Sequence, residues 1–178
     1  MSYKHPITVW ITGLPASGKT TLGKALQGRI SQLKIPVVLL DGDEVRKGLC
    51  SDLGFSPADR TENIRRVANM AALLNSQGVV TICCFVSPLI SMREMARSIV
   101  GPKNFFEVFT DAPVEVCQSR DIKGNYSKAI NGSLPNFTGI SDSYEAPMKP
   151  SLRLNTAELS EGVAADILYD HFLRWVDK

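Results

Sequence analysis

The sequence lacks any long hydrophobic run, and its 178 residues include only two histidines and four cysteines. No apolar stretch approaches the ~20 residues of a membrane-spanning helix. Residues 1–13 carry no signal peptide, because their apolar stretch covers only residues 7–11 before a glycine. The cysteines have no CxxC spacing, so we expect reduced, buried thiols. His5 and His171 are too isolated for a metal or catalytic site. These features predict a cytoplasmic protein.

A strong excess of charge of either sign is also missing, since 20 Lys and Arg stand against 18 Asp and Glu. A net charge of +2 is too small to predict a nucleic-acid or membrane surface, so basic residues that matter must be local. The chain has no internal repeat and no linker rich in glycine, serine or proline. Its length predicts a single domain over residues 1–178.

Short β-branched or apolar runs alternate with helical patterns along the chain. Strands are predicted over residues 7–12, 36–40, 79–86, 105–110 and 151–155. Helices are predicted over 19–33, 59–77 and 92–100, and Ser160 caps a last helix whose apolar residues are Val163, Ile167, Leu168, Phe172 and Trp175. Strands that are apolar on both faces and alternate with helices predict a three-layer α/β fold with a five-stranded parallel sheet. Residues 121–150 are polar and rich in proline and glycine, which predicts a mobile lid.

Residues 13–20, GLPASGKT, match the phosphate-loop pattern GxxxxGK[ST] between a predicted strand and a predicted helix. Backbone N–H groups of such a loop and of the helix N-terminus point at phosphate oxygens. Lys19 would reach the β- and γ-phosphates of a nucleoside triphosphate, and the Thr20 hydroxyl would ligate Mg²⁺. The sequence therefore predicts a P-loop kinase-type fold whose nucleotide site contains Gly13, Ala16, Ser17, Gly18, Lys19, Thr20 and Thr21.

An Asp-Gly-Asp sequence at residues 41–43 follows the second predicted strand, at the sheet edge where the phosphate loop lies. One carboxylate could hold a water of the Mg²⁺ ion, and the other could accept a proton from an attacking hydroxyl. An ordinary Asp-Gly turn is the alternative. The third predicted strand carries no aspartate, which leaves the Mg²⁺ site to Thr20 and an aspartate, for which we name Asp41.

A cluster of basic side chains follows this sequence, with Phe55 among them: Arg46, Arg60, Arg65 and Arg66, together with Asn63. Arg60 and Asn63 are three residues apart and share a helix face. Because a guanidinium group matches two oxygens of a phosphate or sulfate, the cluster predicts an anionic second substrate. A solvated basic face is the alternative. Phe55 and Phe137 lie among polar or small residues, where each could stack a base or anchor a loop.

Taken in order, these motifs resemble the adenylyl-sulfate kinase family. Six stretches match, namely residues 13–21, 40–46, 55–66, 85–88, 107–124 and 137–147. The family uses ATP to phosphorylate the 3′-hydroxyl of adenylyl sulfate (APS), giving 3′-phosphoadenylyl sulfate (PAPS) and ADP in sulfate activation. The resemblance implies the same reaction here, with Mg²⁺ as cofactor, a homodimeric assembly and an association with ATP sulfurylase.

The resemblance also implies roles for individual residues. Asp43 would orient or deprotonate the acceptor hydroxyl, Arg120 would lie against the adenine of ATP, and Lys123 would approach the phosphates from the lid. The adenylyl sulfate site would comprise Asp43, Arg46, Phe55, Arg60, Asn63, Val86, Ser87, Lys123, Asn136 and Phe137. The family pattern assigns a phosphoenzyme to Ser87. We expect direct transfer instead, because two substrates held in line need only positioning, charge neutralisation and a proton acceptor.

Three places depart from the family pattern. Leu89 and Ile90 replace an aromatic residue and an arginine, Ile130 replaces a basic residue, and Pro15-Ala16 is unusual within the phosphate loop. Two alternative functions stay open, a P-loop kinase for another small acceptor and a nucleotide-binding subunit without turnover. The paired phenylalanines disfavour a non-aromatic acceptor. Loss of turnover predicts damage at Lys19, Asp43 or Arg60, and all three are intact.

Overall fold

The computed structural model describes residues 6–177, so His5 lies outside the described residues. Strands and helices alternate as predicted, with a single 3₁₀ turn at Pro102–Asn104. The elements in chain order are β1 Thr8–Thr12, α1 Lys19–Gln32, β2 Val37–Asp41, α2 Gly42–Val45, α3 Pro57–Ser76, β3 Val80–Cys84, α4 Ile90–Val100, β4 Phe105–Asp111, α5 Val114–Ser119, α6 Asn125–Ile130, β5 Leu152–Asn155 and α7 Glu161–Val176.

The five strands form one sheet in the order β2-β3-β1-β4-β5, and every neighbouring pair is parallel. All residues of β1 and β3 are buried, which is why these strands are mostly apolar, with threonine as their only polar residue type. The predicted α/β fold with a five-stranded parallel sheet is therefore confirmed. Because the strands are parallel, the loops that follow their carboxyl ends all meet at one edge of the sheet.

Helices cover both faces of the sheet. On one face α1 and α7 pack against β1 residues Val9 and Ile11 and their neighbours in the sheet. On the other face α3 and α4 pack around Trp10, whose ring lies between Phe85 and Phe105 at centroid distances of 5.7 and 5.6 Å. Alternate residues of β1 thus point into different layers, as the pleat of a strand requires.

The 121–150 segment contains only the short helix α6 and otherwise irregular chain. It is tied to the phosphate loop, because the Tyr126 hydroxyl donates a hydrogen bond to the Pro15 carbonyl oxygen at 3.0 Å. A third apolar cluster joins it to α5 and consists of Ala112, Cys117, Tyr126, Ala129 and Phe137. The segment therefore packs over the edge of the sheet at which the parallel strands end. Among residues 6–177 no helix is long and apolar enough to cross a membrane.

The Asp-Gly-Asp sequence forms a helix start and not the simple turn considered above. Asp41 is the last residue of β2 and also the N-cap of α2, where its Oδ1 atom accepts a hydrogen bond from the Asp43 N–H at 3.0 Å. Aspartate is a favoured N-cap because its carboxylate satisfies a backbone N–H that the helix leaves free. The cap holds Asp43 in the first turn of α2, directly after the carboxyl end of β2.

Candidate active site

A cavity of about 820 Å³ opens at the carboxyl edge of the sheet. Of the residues predicted for the ATP, Mg²⁺ and adenylyl sulfate sites, all line it except Gly13. They come from the phosphate loop, the ends of β2 and β3, α2, α3 and the loop before it, α5 and the 121–150 segment. These cavity-lining residues are Ala16, Ser17, Gly18, Lys19, Thr20, Thr21, Asp41, Asp43, Arg46, Phe55, Arg60, Asn63, Val86, Ser87, Arg120, Lys123, Asn136 and Phe137.

Gly13 lies behind the phosphate loop, packed against β4. Its φ is +150°, and a Cβ atom placed on it would lie 2.3 Å from the Thr110 Oγ1 atom, so no side chain fits. The same Thr110 hydroxyl lies 2.7 Å from the Ser17 Oγ atom. Thr110 thus holds both the start and the later part of the loop against β4.

Lys19, the first residue of α1, folds back over the loop. Its Nζ atom donates hydrogen bonds to the carbonyl oxygens of Gly13 at 3.1 Å and Leu14 at 2.6 Å. Burial lowers the pKa of Lys19 to about 8, because a buried ammonium group loses hydration. No side chain caps the N-terminus of α1. The first-turn N–H groups of this helix can therefore bind phosphate oxygens together with Lys19.

Thr20 and Asp41 form the oxygen-rich part of the site. The Thr20 hydroxyl donates to the Asp41 Oδ2 atom at 2.7 Å. The described residues contain no group of three or more His, Cys, Asp and Glu side chains arranged to hold a metal ion. A hydroxyl and a single carboxylate fit Mg²⁺, which in nucleotide sites takes most of its ligands from phosphates and water. The pair therefore suits a metal that arrives with a nucleotide.

At the other end of the cavity lie Arg46, Phe55, Arg60 and Asn63, which we call the arginine end. The Arg46 guanidinium stacks on the Phe55 ring at 4.4 Å from its centroid and donates to the carbonyl oxygens of Leu53 and Gly54 at 3.1 and 2.9 Å. The Phe55 side chain is still 54% exposed. The Arg60 guanidinium also lies over this ring, at 5.7 Å from the centroid. A partly exposed ring that arginines hold in place can stack a planar ligand.

Arg60 connects α3 to the 121–150 segment. Its guanidinium donates to the Thr138 hydroxyl at 3.3 Å, to the Phe55 carbonyl oxygen at 3.0 Å and to the Asn136 carbonyl oxygen. Asp142 lies 3.9 Å from it. Burial lowers the pKa of Arg60, but an arginine keeps its charge at any physiological pH. Without a ligand, therefore, this cation is satisfied mainly by backbone and hydroxyl oxygens.

Asn63 lies one helical turn after Arg60 and is 5% exposed. Its Oδ1 atom is buried and accepts no hydrogen bond from any described residue. Buried polar atoms are rarely left without a partner, because desolvation without a hydrogen bond costs free energy. Since Asn63 lines the cavity, a ligand hydroxyl or N–H can supply that partner.

Asp43 and Lys123 face each other across the mouth of the cavity. The Lys123 Nζ atom pairs with the Asp43 Oδ2 atom, and both side chains are 65% exposed. The hydrogen bond to Asp43 raises the pKa of Lys123, so this lysine stays charged at neutral pH. The only carboxylate of α2 that lines the cavity is thus engaged by the 121–150 segment.

Ser87 follows β3 and is buried at 2% exposure. Its φ of +37° is unusual for a residue with a side chain. The Oγ atom accepts a hydrogen bond from the Trp10 Nε1 atom at 3.1 Å, and it faces the Thr12 hydroxyl at 3.0 Å and the Phe85 carbonyl oxygen at 3.3 Å. No histidine, lysine or carboxylate among the described residues hydrogen-bonds this hydroxyl.

Comparison with known proteins assigns the family. Residues 5–155 match the family model described as adenylylsulphate kinase. The chain belongs to the adenylylsulphate kinase family.

Individual relatives agree with this assignment. An adenylyl-sulfate kinase of Bacteroides thetaiotaomicron is 42% identical over 98% of this chain and 87% of its own length, and one of Shigella flexneri is 45% identical over 93% and 90%. The structure of a Mycobacterium tuberculosis APS kinase in complex with AMPPNP and APS superposes with a TM-score of 0.91. It is 40% identical and covers 95% of this chain and 98% of its own.

The departures from the adenylylsulphate kinase pattern lie around the cavity and do not block it. Leu89 packs against the apolar cluster beneath α4, and the Ile90 N–H donates to the Glu145 Oε2 atom at 2.7 Å. The Ile130 side chain is 57% exposed on α6. Pro15 uses its carbonyl oxygen to accept a hydrogen bond from Tyr126, a role for which its missing N–H is irrelevant.

Two arginines of the predicted basic cluster, Arg65 and Arg66, do not line the cavity, so their predicted contact with an anionic substrate is wrong. Arg65 and Arg66 both bind Glu62, and Arg66 also binds both oxygens of Asp52 at 2.6 and 2.8 Å. These hydrogen bonds lower the pKa of Glu62 to about 2. Local contacts explain the difference, because Glu62 binds both Arg65 and Arg66 and because Arg66 also donates to Asp52 and to the Leu49 carbonyl oxygen in the loop before α3.

Some residues at the site were not predicted. Thr156 follows β5 and donates to the Ser17 carbonyl oxygen at 3.0 Å, while its own carbonyl accepts from Arg120 at 2.8 Å. A hydroxyl directly after a strand of a parallel sheet is the signal that could have identified Thr156.

Phe137, expected to stack a base, is only 9% exposed and packs edge-to-face on Tyr126, although it lines the cavity.

Proposed function

We propose that the protein transfers the γ-phosphoryl group of ATP to the 3′-hydroxyl of adenylyl sulfate, producing 3′-phosphoadenylyl sulfate and ADP. The observation that carries this proposal is one cavity with a phosphate loop at one end and the arginine end at the other. The structure of a 40% identical Mycobacterium tuberculosis APS kinase in complex with AMPPNP and APS supports the proposal.

ATP would occupy the phosphate-loop end. Lys19 exchanges its two carbonyl partners for phosphate oxygens, and the free N–H groups at the start of α1 bind the same phosphates. Thr20 and Asp41 are the residues that would hold Mg²⁺. When bound, the metal supplies charge neutralisation to the transferring phosphoryl group. Arg120, whose guanidinium donates to the Thr156 carbonyl oxygen, would lie against the adenine.

Adenylyl sulfate would occupy the arginine end. The partly exposed Phe55 ring would stack on the adenine, and Phe137 would cover the other side of the base once the 121–150 segment adjusts. Arg46 and Arg60 supply guanidinium groups for the phosphosulfate, and the unpaired Asn63 Oδ1 atom accepts a hydrogen bond from the substrate. A sugar or an aliphatic alcohol leaves most of these groups unused.

Asp43 would act on the acceptor hydroxyl. The 3′-oxygen forms a bond to the γ-phosphorus while the bond from that phosphorus to the β,γ-bridging oxygen breaks, and the hydroxyl proton passes to the Asp43 carboxylate. ADP leaves with the bridging oxygen. Lys123 releases Asp43 as the acceptor arrives and turns its charge toward the phosphates. The 121–150 segment would serve as a lid that excludes water during transfer.

We propose direct transfer without a phosphoenzyme. A serine nucleophile needs an adjacent base to take its proton. The hydrogen-bond partners of Ser87 are an indole N–H, a hydroxyl and a carbonyl oxygen, and none of these is a base at neutral pH. Ser87 is better suited to shape the wall of the site than to attack ATP.

The deciding experiment measures ADP release from ATP and Mg²⁺ with adenylyl sulfate, beside AMP, adenosine and shikimate as acceptors. We expect turnover only with adenylyl sulfate, and a fall of about 10²- to 10⁴-fold in kcat for Asp43→Asn. Asp52→Asn is the matched control, because Asp52 is an exposed carboxylate that binds only Arg66 among the charged groups.

Turnover with another acceptor would keep the kinase and overturn the choice of substrate. ATP binding without turnover on any acceptor would favour the alternative of a nucleotide-binding subunit that has lost activity. Equal effects of Asp43→Asn and Asp52→Asn would overturn the role of Asp43.

The assembly and the compartment are part of the same proposal. All four cysteines are free and buried, which suits the reducing cytoplasm. We propose a homodimer that associates with ATP sulfurylase, on the strength of the family resemblance. Light scattering would then report twice the chain mass of 19.5 kDa, and a larger species on adding the sulfurylase. A mass of one chain would overturn the dimer.

A further inference from the structure

Arg93 is a buried cation that lies outside the cavity lining and beneath its wall. It is on the first turns of α4, and its side chain is 2% exposed. A fully buried arginine is uncommon, because desolvation of the charge must be offset by several hydrogen bonds. The partners of Arg93 show which parts of the chain it holds together.

The Arg93 guanidinium joins three separate elements. Its Nη1 atom donates to the Ser87 carbonyl oxygen at 2.7 Å, and its Nη2 atom donates to the Glu145 carbonyl oxygen at 2.5 Å. Its Nε atom lies 3.1 Å from the Glu107 Oε1 atom in β4, although the two are not aligned for a hydrogen bond. A planar guanidinium spreads its donors over three nitrogens and can serve partners that lie apart, whereas a lysine carries all of its donors on one nitrogen.

The first partner belongs to the β3 turn, by which we mean residues 85–88. All four residues of this turn line the cavity, and Phe85 packs in one apolar cluster with Val45 of α2 and Ile64 of α3. The β3 turn is therefore the wall that faces the arginine end. Its Ser87 has a positive φ, a conformation that persists only when the surroundings hold it in place.

The second partner ties the turn to the end of the 121–150 segment. Tyr144 lies under the Arg93 guanidinium at 5.6 Å from the ring centroid, and its hydroxyl lies 2.9 Å from the Thr12 Oγ1 atom. The Glu145 N–H donates to the Pro88 carbonyl oxygen at 2.8 Å. Arg93 and residues 144–145 thus enclose Ser87 from the side opposite to the cavity.

We propose that Arg93 is a positioning residue for the acceptor: its two hydrogen bonds to backbone carbonyls hold the β3 turn and the end of the 121–150 segment in the arrangement that binds adenylyl sulfate. Arg93 touches no substrate itself. The inference rests on the proposed function, because it assigns the arginine end to adenylyl sulfate and the phosphate loop to ATP.

Arg97 is the matched control. It lies one helical turn further along α4, its Nη2 atom donates to the same Glu107 at 2.9 Å, and its guanidinium stacks on Phe105 at 4.9 Å. Arg97 donates to neither Ser87 nor Glu145. A purely structural role in neutralising Glu107 would be shared by both arginines, whereas a role in the acceptor site would belong to Arg93 alone.

The experiment compares Arg93→Gln, Arg93→Lys and Arg97→Gln in steady-state kinetics with both substrates varied. We expect Arg93→Gln to raise the KM for adenylyl sulfate by about tenfold or more, while the KM for ATP changes by less than about twofold. Arg93→Lys keeps the charge beside Glu107 and can reach one carbonyl, so it should recover part of the loss. Arg97→Gln should lower the melting temperature and leave both KM values near those of the wild type.

Equal changes in both KM values for Arg93→Gln, or the same selective change for Arg97→Gln, would overturn the inference. If Arg93→Gln does not fold, as judged by circular dichroism, Arg93→Lys decides, and an unchanged KM for adenylyl sulfate in that variant would refute it. Wild-type protein without turnover on adenylyl sulfate would overturn the proposed function and this inference together. Normal wild-type turnover with an unaffected Arg93→Gln would overturn the inference alone.

Discussion

The ammonium group of Lys123 forms an ion pair with the carboxylate of Asp43. The acceptor hydroxyl would have to reach this same carboxylate. Lys123 lies in the 121–150 segment, and Asp43 lies in the first turn of α2. The ion pair therefore connects the segment to the opposite wall of the cavity before substrate arrives. Binding of the acceptor would replace the Lys123 ion pair with a hydrogen bond from the acceptor hydroxyl to the Asp43 carboxylate.

Lys123→Met tests this exchange. Because both partners are exposed, we expect the free energy of unfolding to change by less than about 1 kcal/mol. We expect kcat with adenylyl sulfate to fall by about 10- to 100-fold, since the cation that approaches the phosphates is lost. Lys128→Met is the control, because Lys128 is exposed in the same segment and forms no ion pair with a described residue. Similar kinetics for the two variants would contradict the assignment.

The affinity for ATP should depend on the charge of Lys19. Burial lowers the pKa of Lys19 to about 8 in the free protein, and contact with phosphates raises it again. Below pH 8 the lysine is already charged, whereas above pH 8 binding must take up a proton. We therefore expect the Kd for ATP to rise by about tenfold between pH 7 and pH 9, measured by calorimetry. The pKa of Lys123 is raised, so Lys123→Met should give the same curve. A Kd independent of pH would contradict this.

Ser87→Ala should retain turnover. The Ser87 hydroxyl accepts from Trp10, so the variant loses about 1 kcal/mol of stability, but no covalent intermediate is lost. We expect kcat within about tenfold of the wild type. Ser91→Ala controls for the general effect of removing a hydroxyl, because Ser91 is an exposed serine at the start of α4, shortly after Ser87 in the chain. Complete loss of turnover with both substrates still bound, and a phosphoryl group trapped on the wild-type serine, would establish the phosphoenzyme instead.

Phe55 should contribute to binding of the acceptor and not of ATP. Stacking of a base on an aromatic ring is worth about 1–3 kcal/mol, so Phe55→Ala should raise the KM for adenylyl sulfate by about 5- to 150-fold. Phe55→Tyr should keep most of the affinity, because it keeps the ring beneath Arg46. The control is Leu73→Ala, which removes an exposed apolar side chain that lies on α3 and does not line the cavity. A KM that rises equally for ATP would show that Phe55 acts on the whole cavity.

The four thiols should be unreactive in the folded protein. Burial raises the pKa of Cys84 to about 12 and also raises the pKa of Cys50, Cys83 and Cys117, so almost no thiolate exists near neutral pH. We expect an aromatic disulfide reagent to label native protein about 100-fold more slowly than unfolded protein. Ser76→Cys, at an exposed position, should add one fast thiol. Rapid labelling of the wild type, or a several-fold change of turnover with a dithiol reductant, would contradict this prediction.

The strands and the phosphate loop could be predicted because their signals are local. A strand buried on both faces must be mostly apolar, as β1 is between its terminal threonines, and a loop that packs on Thr110 must have glycine at position 13. The start of α3 was predicted two residues late. Pro57 is compatible with the first position of a helix, and Ser56 caps it by accepting from the Asp59 N–H at 3.1 Å.

Features that depend on tertiary packing could not be read in this way. Val163, expected in the apolar stripe of α7, is 47% exposed, whereas Ala164 and Ala165 are buried because small residues let the helix approach the sheet. The sequence groups Arg65 and Arg66 with Arg60 in one basic cluster, but in the structure Arg65 pairs with Glu62 and Arg66 pairs with Asp52. From the sequence alone Arg93 would be taken for a surface charge. Its burial is not visible there, because its carbonyl partners are 6 and 52 residues away in the chain.

The hydrogen bond from Trp10 to Ser87 has a spectroscopic consequence. Trp10 is fully buried, and its indole N–H is bonded to the wall of the cavity, so its emission should respond when the β3 turn moves. The chain contains only one other tryptophan, Trp175, which packs on Phe106 at 4.9 Å on the opposite face of the sheet. In a Trp175→Phe background, therefore, the protein carries a single tryptophan, located at its acceptor wall, and substrate occupancy can be followed in real time by tryptophan emission without any label.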